Sequence, residues 1–128
     1  MLGLPRNRIL KKKKDFQAVY SRGKSHANRF LVLYVLRTAS FSDRVGFAAG
    51  KKLGNAVVRN RVKRMLRECY RLHQQEIEGG LSLLLVGRKA AVDARCQDME
   101  KAFLALAKKA GIMAEEEGSM GGKKRSGR

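Results

Sequence analysis

Residues 51–71, K-K-L-G-N-A-V-V-R-N-R-V-K-R-M-L-R-E-C-Y-R, constrain this chain more than any other stretch. Neither proline nor glycine follows Gly54, so a helix can run uninterrupted. At about 100° per residue the side chains divide into two faces. Val58, Val62, Met65, Leu66, Cys69, Leu72 and His73 share one. Asn60, Lys63, Arg64, Arg67 and Arg71 share the other, with Arg59 and Arg61 at its edges. Asn55 is placed to cap the first turn, because its side-chain oxygen can accept a free backbone N–H. The predicted helix spans Asn55 to about Glu78, and Gly79-Gly80 is expected to end it.

The basic face is unusual for a solvated one. An exposed helix gains stability by mixing signs at i,i+4 spacing, and like charges there repel. Here Arg59, Arg61, Lys63, Arg64, Arg67 and Arg71 are opposed by a single acid, Glu68. Arginine predominates, and its planar fork suits phosphates and base edges. The whole chain repeats the bias: 29 Lys plus Arg against 11 Asp plus Glu in 128 residues, a formal charge of +18. Such a surplus points to a polyanionic partner. The apolar runs Phe30–Leu36 and Leu81–Val86 fall far short of the roughly 20 residues a spanning helix needs. Met1–Lys14 is basic but has no apolar core of the signal-peptide kind. Cys69 and Cys96 are too far apart for a C-x-x-C site and read as reduced thiols of a cytoplasmic protein.

Taken in order, the chain begins with a basic lead-in. A short helix is expected from Asp15, with Phe16, Val19 and Tyr20 on one face and Gly23 at its end. Phe16 and Tyr20 read most simply as core, with an aromatic stacking platform as the alternative. From Lys24 the period changes to two. Phe30–Arg37 is a predicted strand, and Arg44–Gly50 another, with Val45, Phe47 and Ala49 on one face. Its other face, Gly46, Ala48 and Gly50, is small enough for close approach of a helix or a nucleic-acid backbone. After the basic helix, Leu81–Val86 is a third strand. A second long helix is expected from Cys96 to about Ala110, with Met99, Phe103, Leu106 and Leu104 toward the core and Gly111 at its end. From Ala114 the composition is that of a disordered tail. The expected organisation is one α+β domain over 1–113, with helices on one side of a sheet, and a tail over 114–128.

No catalytic constellation is legible. The carboxylates are scattered, and none pairs convincingly at a strand end as a Mg²⁺-dependent nuclease would need. His26 and His73 stand alone. Gly50–Gly54 is not a phosphate loop of the Walker type, because Asn55 and Ala56 follow where Lys and Ser or Thr are required. The sequence supports RNA binding and does not support bond cleavage by the protein itself.

Lys51–Arg64, K-K-L-G-N-A-V-V-R-N-R-V-K-R, resembles the signature of the bacterial ribonuclease P protein component. Arg8–Lys12, Asp15-Phe16 and Gly23 before it, Arg44-Val45-Gly46, and Gly87-Arg88-Lys89-Ala90 after it fit the same family. The resemblance covers roughly residues 5–111. Ala90 stands where a proline is common, and the tail has no clear counterpart. The resemblance implies a single-domain α-β sandwich, a mixed sheet of about four strands with three helices and a left-handed crossover containing the R-N-R helix. It implies a subunit that assists a catalytic RNA, with Mg²⁺ bound mainly by that RNA, in removing the 5′ leader of precursor tRNA. The implied contacts with the catalytic RNA are Arg59, Asn60, Arg61, Lys63, Arg64 and Arg67. Those with the single-stranded leader are Phe16, Tyr20 and Tyr34, with Lys51, Lys52, Arg88 and Lys89 as phosphate partners. The protein is expected to act as a monomer in the complex. The competing reading is a structural RNA-binding protein of ribosomal type, which would not need those aromatics beside cations.

Overall fold

The computed structural model describes residues 8–38 and 43–113; the expected tail lies outside them. In chain order come α1 (Lys13–Arg22), β1 (Lys24–Ala27), β2 (Leu31–Arg37), β3 (Arg44–Ala49), α2 (Ala56–His73), β4 (Leu81–Gly87) and α3 (Cys96–Ala110). Short 3₁₀ turns at Lys51–Leu53, Gln74–Glu76 and Lys89–Asp93 lie in the β3–α2, α2–β4 and β4–α3 connections. The strands form one mixed sheet in the order β1-β2-β4-β3. β3 and β4 are parallel, joined by a crossover that contains α2, and the other pairs are antiparallel.

Strand alternation sorts the apolar residues onto two faces. Leu31, Leu33, Val45, Phe47, Leu83 and Leu85 face one way and pack on α2 and α3. Tyr34, Leu36, Ala48, Leu84 and Val86 face the other way and pack with Leu10 and α1. β4 lies between β2 and β3 with both faces covered, which is why it reads as a continuous apolar run. The expectation of helices on one side is therefore corrected: α1 lies on the face opposite α2 and α3. The segment carrying α1 is tied there from its start, where Leu10 N–H donates to the Val45 carbonyl at 2.9 Å.

α2 carries the main core. Val62, Met65, Leu66, Cys69 and Tyr70 are buried on it, and a large apolar side chain stabilises by about 1.5–3 kcal/mol when fully buried. Asn55 caps it as expected, its Oδ1 accepting the Val58 N–H at 3.1 Å. Two expectations fail at its far end. The helix stops at His73 rather than near Glu78, because the chain must turn to pair with the segment after α3. Ile77 bridges to Met113, and Glu78 N–H donates to the Ile112 carbonyl at 2.8 Å. Leu72 is exposed, and Tyr70 takes the core place, its ring edge-on to Phe47 and Phe103 at 6.3 and 6.5 Å between centroids. α3 places Met99, Phe103 and Leu106 in the core as expected, with Leu104 half-buried.

Two close approaches need glycine. A Cβ on Gly87 would lie 2.5 Å from Val62 Cγ1, so the Val62 side chain of α2 seats directly on the end of β4. A Cβ on Gly46 would lie 2.8 Å from Phe16 Cε2, so the small face of β3 receives a helix side chain.

Candidate nucleic-acid interface

Register fixes the geometry on the α1 side of the sheet. Ser25, Tyr34, Leu84 and Gly46 form one row across all four strands. α1 crosses this row, with Phe16 over Gly46 and Tyr20 against Tyr34. The next row on that face, about 7 Å further along, is Val32, Val86 and Ala48. Its members are only half-buried, so an apolar strip lies open beside the helix. Lys51 and Lys52 follow β3, and Arg88 and Lys89 follow β4, all four exposed at that end of the sheet. The result is a cleft with an apolar floor, aromatic residues along one wall and cations at one end.

The Tyr20 and Tyr34 rings lie 5.1 Å apart between centroids at 43°, and Tyr20 is 56% exposed. The sequence left Phe16 and Tyr20 open between core and platform, and the structure divides them. Val19 fills the core of α1, Phe16 is half-buried, and Tyr20 stands out as a surface ring. Partial burial, and the Tyr20 hydroxyl beside it, push the Tyr34 phenol above its ordinary range. The Tyr34 ring therefore presents an uncharged face at neutral pH.

A second surface is the outer side of α2. Asn60, Lys63, Arg64 and Arg67 are exposed there, as the periodicity predicts. Arg71 is instead paired with Glu68, whose carboxyl its guanidinium holds below the usual range. Arg59 is half-buried, and its Nε is buried with no hydrogen-bond partner.

Two predicted contact residues have structural duties as well. The Arg61 guanidinium donates to the carbonyls of Val92 at 2.8 Å and Ala94 at 3.1 Å, clamping α2 to the segment before α3. Arg88 donates to the Asn28 carbonyl at 3.0 Å, tying the β1–β2 turn to the end of β4. Arg8 has a structural part that no sequence pattern marks: it donates to the Asp43 carbonyl at 3.1 Å and to the Tyr70 hydroxyl at 3.4 Å. The His73 bridge from α2 to Glu76 and Glu100, at 2.8 and 2.7 Å, is likewise unmarked. These pairings span 27 to 62 positions in sequence, apart from the local Glu76, and leave no periodic signal. Burial pushes the Cys69 thiol up to about 12, so it stays protonated in the core. Among the described residues, no three His, Cys, Asp or Glu side chains gather to hold a metal ion, and no helix is long and apolar enough to cross a membrane.

An exposed arginine-rich helix, with an aromatic cleft on the opposite face of a small α+β sheet, defines a small RNA-binding protein. The comparisons narrow the class. The family model for Ribonuclease P matches residues 4–111. The Ribonuclease P protein component of Alkaliphilus oremlandii is 41% identical over 104 residues, covering 81% of this chain and 91% of that protein. The one from Clostridioides difficile is 41% identical over 108 residues, covering 84% and 95%. Among solved structures, the Staphylococcus aureus RNase P protein superimposes with a TM-score of 0.75 at 32% identity, covering 84% of this chain and 98% of that one. The chain belongs to the ribonuclease P protein family. Its role is that of an RNA-binding subunit of an RNA-based endoribonuclease in tRNA processing, and the ribosomal alternative is not favoured.

Proposed function

We propose that the cleft holds the single-stranded 5′ leader of precursor tRNA, while the exposed face of α2 docks on the core of the catalytic RNA. The Tyr20–Tyr34 ring pair on a half-open apolar floor is the observation that carries this reading. A leader has no fixed sequence, and stacking tolerates any base at about 1–3 kcal/mol each. Phe16 extends the aromatic wall, and Lys51, Lys52, Arg88 and Lys89 meet the leader's phosphates. On α2, Arg59, Asn60, Lys63, Arg64 and Arg67 contact the catalytic RNA. Arg61 acts there chiefly by holding α2 against residues 92–94, with its remaining donors at the RNA edge. Mg²⁺ is held mainly by the RNA, and bond cleavage belongs to the RNA. One protein molecule acts per complex, in the cytoplasm.

The test compares substrates. In the reconstituted complex, Tyr34→Ala lowers affinity for precursor tRNA with a leader by roughly 5- to 100-fold. Affinity for mature tRNA stays unchanged. Equal losses for both ligands would take the leader out of the cleft.

A further inference from the structure

Neither surface accounts for the groove between the β1–β2 turn and α3. This open space of about 340 Å³ is lined by Asn28, Arg29, Phe30, Asp98, Lys101 and Ala102. Its size lies near the lower end of small-ligand sites, which begin at about 300 Å³. The Arg29 guanidinium carbon sits 5.1 Å from the Phe30 ring centroid, and Arg29 itself is exposed. Hydrogen bonds hold the backbone of the turn that carries the platform. Asn28 Oδ1 accepts the N–H groups of Phe30 at 3.0 Å and Leu31 at 3.2 Å. Its Nδ2 donates to the Ala102 carbonyl at 3.1 Å, and its own carbonyl accepts from Arg88 at 3.0 Å. A ligand would meet a turn backbone already ordered, so that ordering the exposed Arg29 and Lys101 side chains is the main entropy left to lose.

The groove is also joined to the basic helix. Arg61 clamps α2 to the carbonyls of Val92 and Ala94. The next residue, Arg95, is exposed, and its Nε lies 3.8 Å from an Asp98 carboxylate oxygen at the groove. The cationic surface of α2 thus continues through Arg95 to Lys101 and Arg29, with Asp98 as the acid at the groove.

We propose that this groove takes one unpaired nucleotide of the partner RNA, extending the RNA interface from α2 onto α3. The base stacks on the Arg29–Phe30 platform, as unpaired RNA bases do on aromatic rings and guanidinium planes. Lys101 meets the adjoining phosphate. Asp98, whose Oδ2 already accepts the Arg95 backbone N–H at 3.0 Å, accepts an N–H from the base edge on its other oxygen. The cationic surround disfavours a basic or purely apolar peptide in the same place. The inference rests on the chain acting with ribonuclease P RNA, and not on the leader reading of the cleft.

Two experiments on the full-length protein in the reconstituted complex test it. Phe30→p-benzoyl-phenylalanine is irradiated with and without precursor tRNA. An adduct to an unpaired stretch of the catalytic RNA, formed in both cases, is the expected result. Adducts only to the precursor, or none to RNA, overturn the proposal. Separately, Phe30→Leu, which keeps an apolar contact with the core, lowers affinity for the catalytic RNA by roughly 10-fold. Arg29→Gln gives a smaller loss and flattens the salt dependence. The two variants are checked for unchanged circular dichroism and run beside Arg64→Ala. A loss in Arg64→Ala with none in Phe30→Leu overturns the groove and leaves α2 in place. A loss in Phe30→Leu with none in Arg64→Ala upholds the groove and removes α2 from the interface.

Discussion

At the residue scale, single contacts join elements that the sequence leaves far apart. His73 is the clearest case. Burial lowers its pKa, but the carboxylates of Glu100 and Glu76 on its two ring nitrogens outweigh that and hold it above its ordinary 6.5. A raised pKa in the folded state means the folded protein binds the proton more tightly than the unfolded chain. The resulting stability is complete below 6.5 and is lost as pH rises through the folded value. Melting temperature measured from pH 6.5 upward should fall with rising pH in the wild type and stay flatter in His73→Gln. Parallel profiles would remove His73 from the link between α2 and α3. Gly87 offers a second test. An added Cβ would meet Val62 Cγ1 at 2.5 Å, on a branched side chain that is fully buried. Gly87→Ala should cost about 1–3 kcal/mol in chemical denaturation, as overpacking does. No change would mean that α2 can lift off β4 freely.

At the element scale, α2 shows how far periodicity reaches. The 3.6-residue period correctly separates buried Val62, Met65, Leu66 and Cys69 from exposed Lys63, Arg64 and Arg67. It misplaces Leu72 and Tyr70, because the ring contacts with Phe47 and Phe103 are tertiary and decide which of two neighbouring positions turns inward. β1, K-S-H-A, has too little alternation to be placed from sequence, and it exists through pairing with β2. α1 reads as an amphipathic helix, but nothing in it says which face of the sheet it covers. The aromatic cleft shares that limit. Helical spacing puts Phe16 and Tyr20 on one face, but they meet Tyr34 only through the packing of α1 on the sheet, so the grouping with Tyr34 came from resemblance to the ribonuclease P proteins and not from spacing. The exposed face of α2 makes its own prediction. Arg64→Ala and Arg59→Ala should weaken binding to the catalytic RNA and lower the slope of log affinity against log salt by roughly one for each lost phosphate contact. Normal affinity and slope in both variants would take α2 off the RNA.

At the scale of the whole molecule, the fold divides labour between the two faces of one sheet. α2 and α3 close one face and supply most of the core. α1 only partly covers the other, leaving an open strip with cations at its end. The formal charge of +18 opposes compaction of the protein alone and favours it beside RNA, so part of the sequence is written for the complex rather than for the free chain. The central claim is that this protein binds and positions RNA while the RNA cuts. It is tested most directly by a cleavage assay on precursor tRNA at low Mg²⁺, with the organism's catalytic RNA alone, the protein alone, and both together. Efficient cleavage at the leader junction is expected only with both. Cleavage by the protein alone would contradict it.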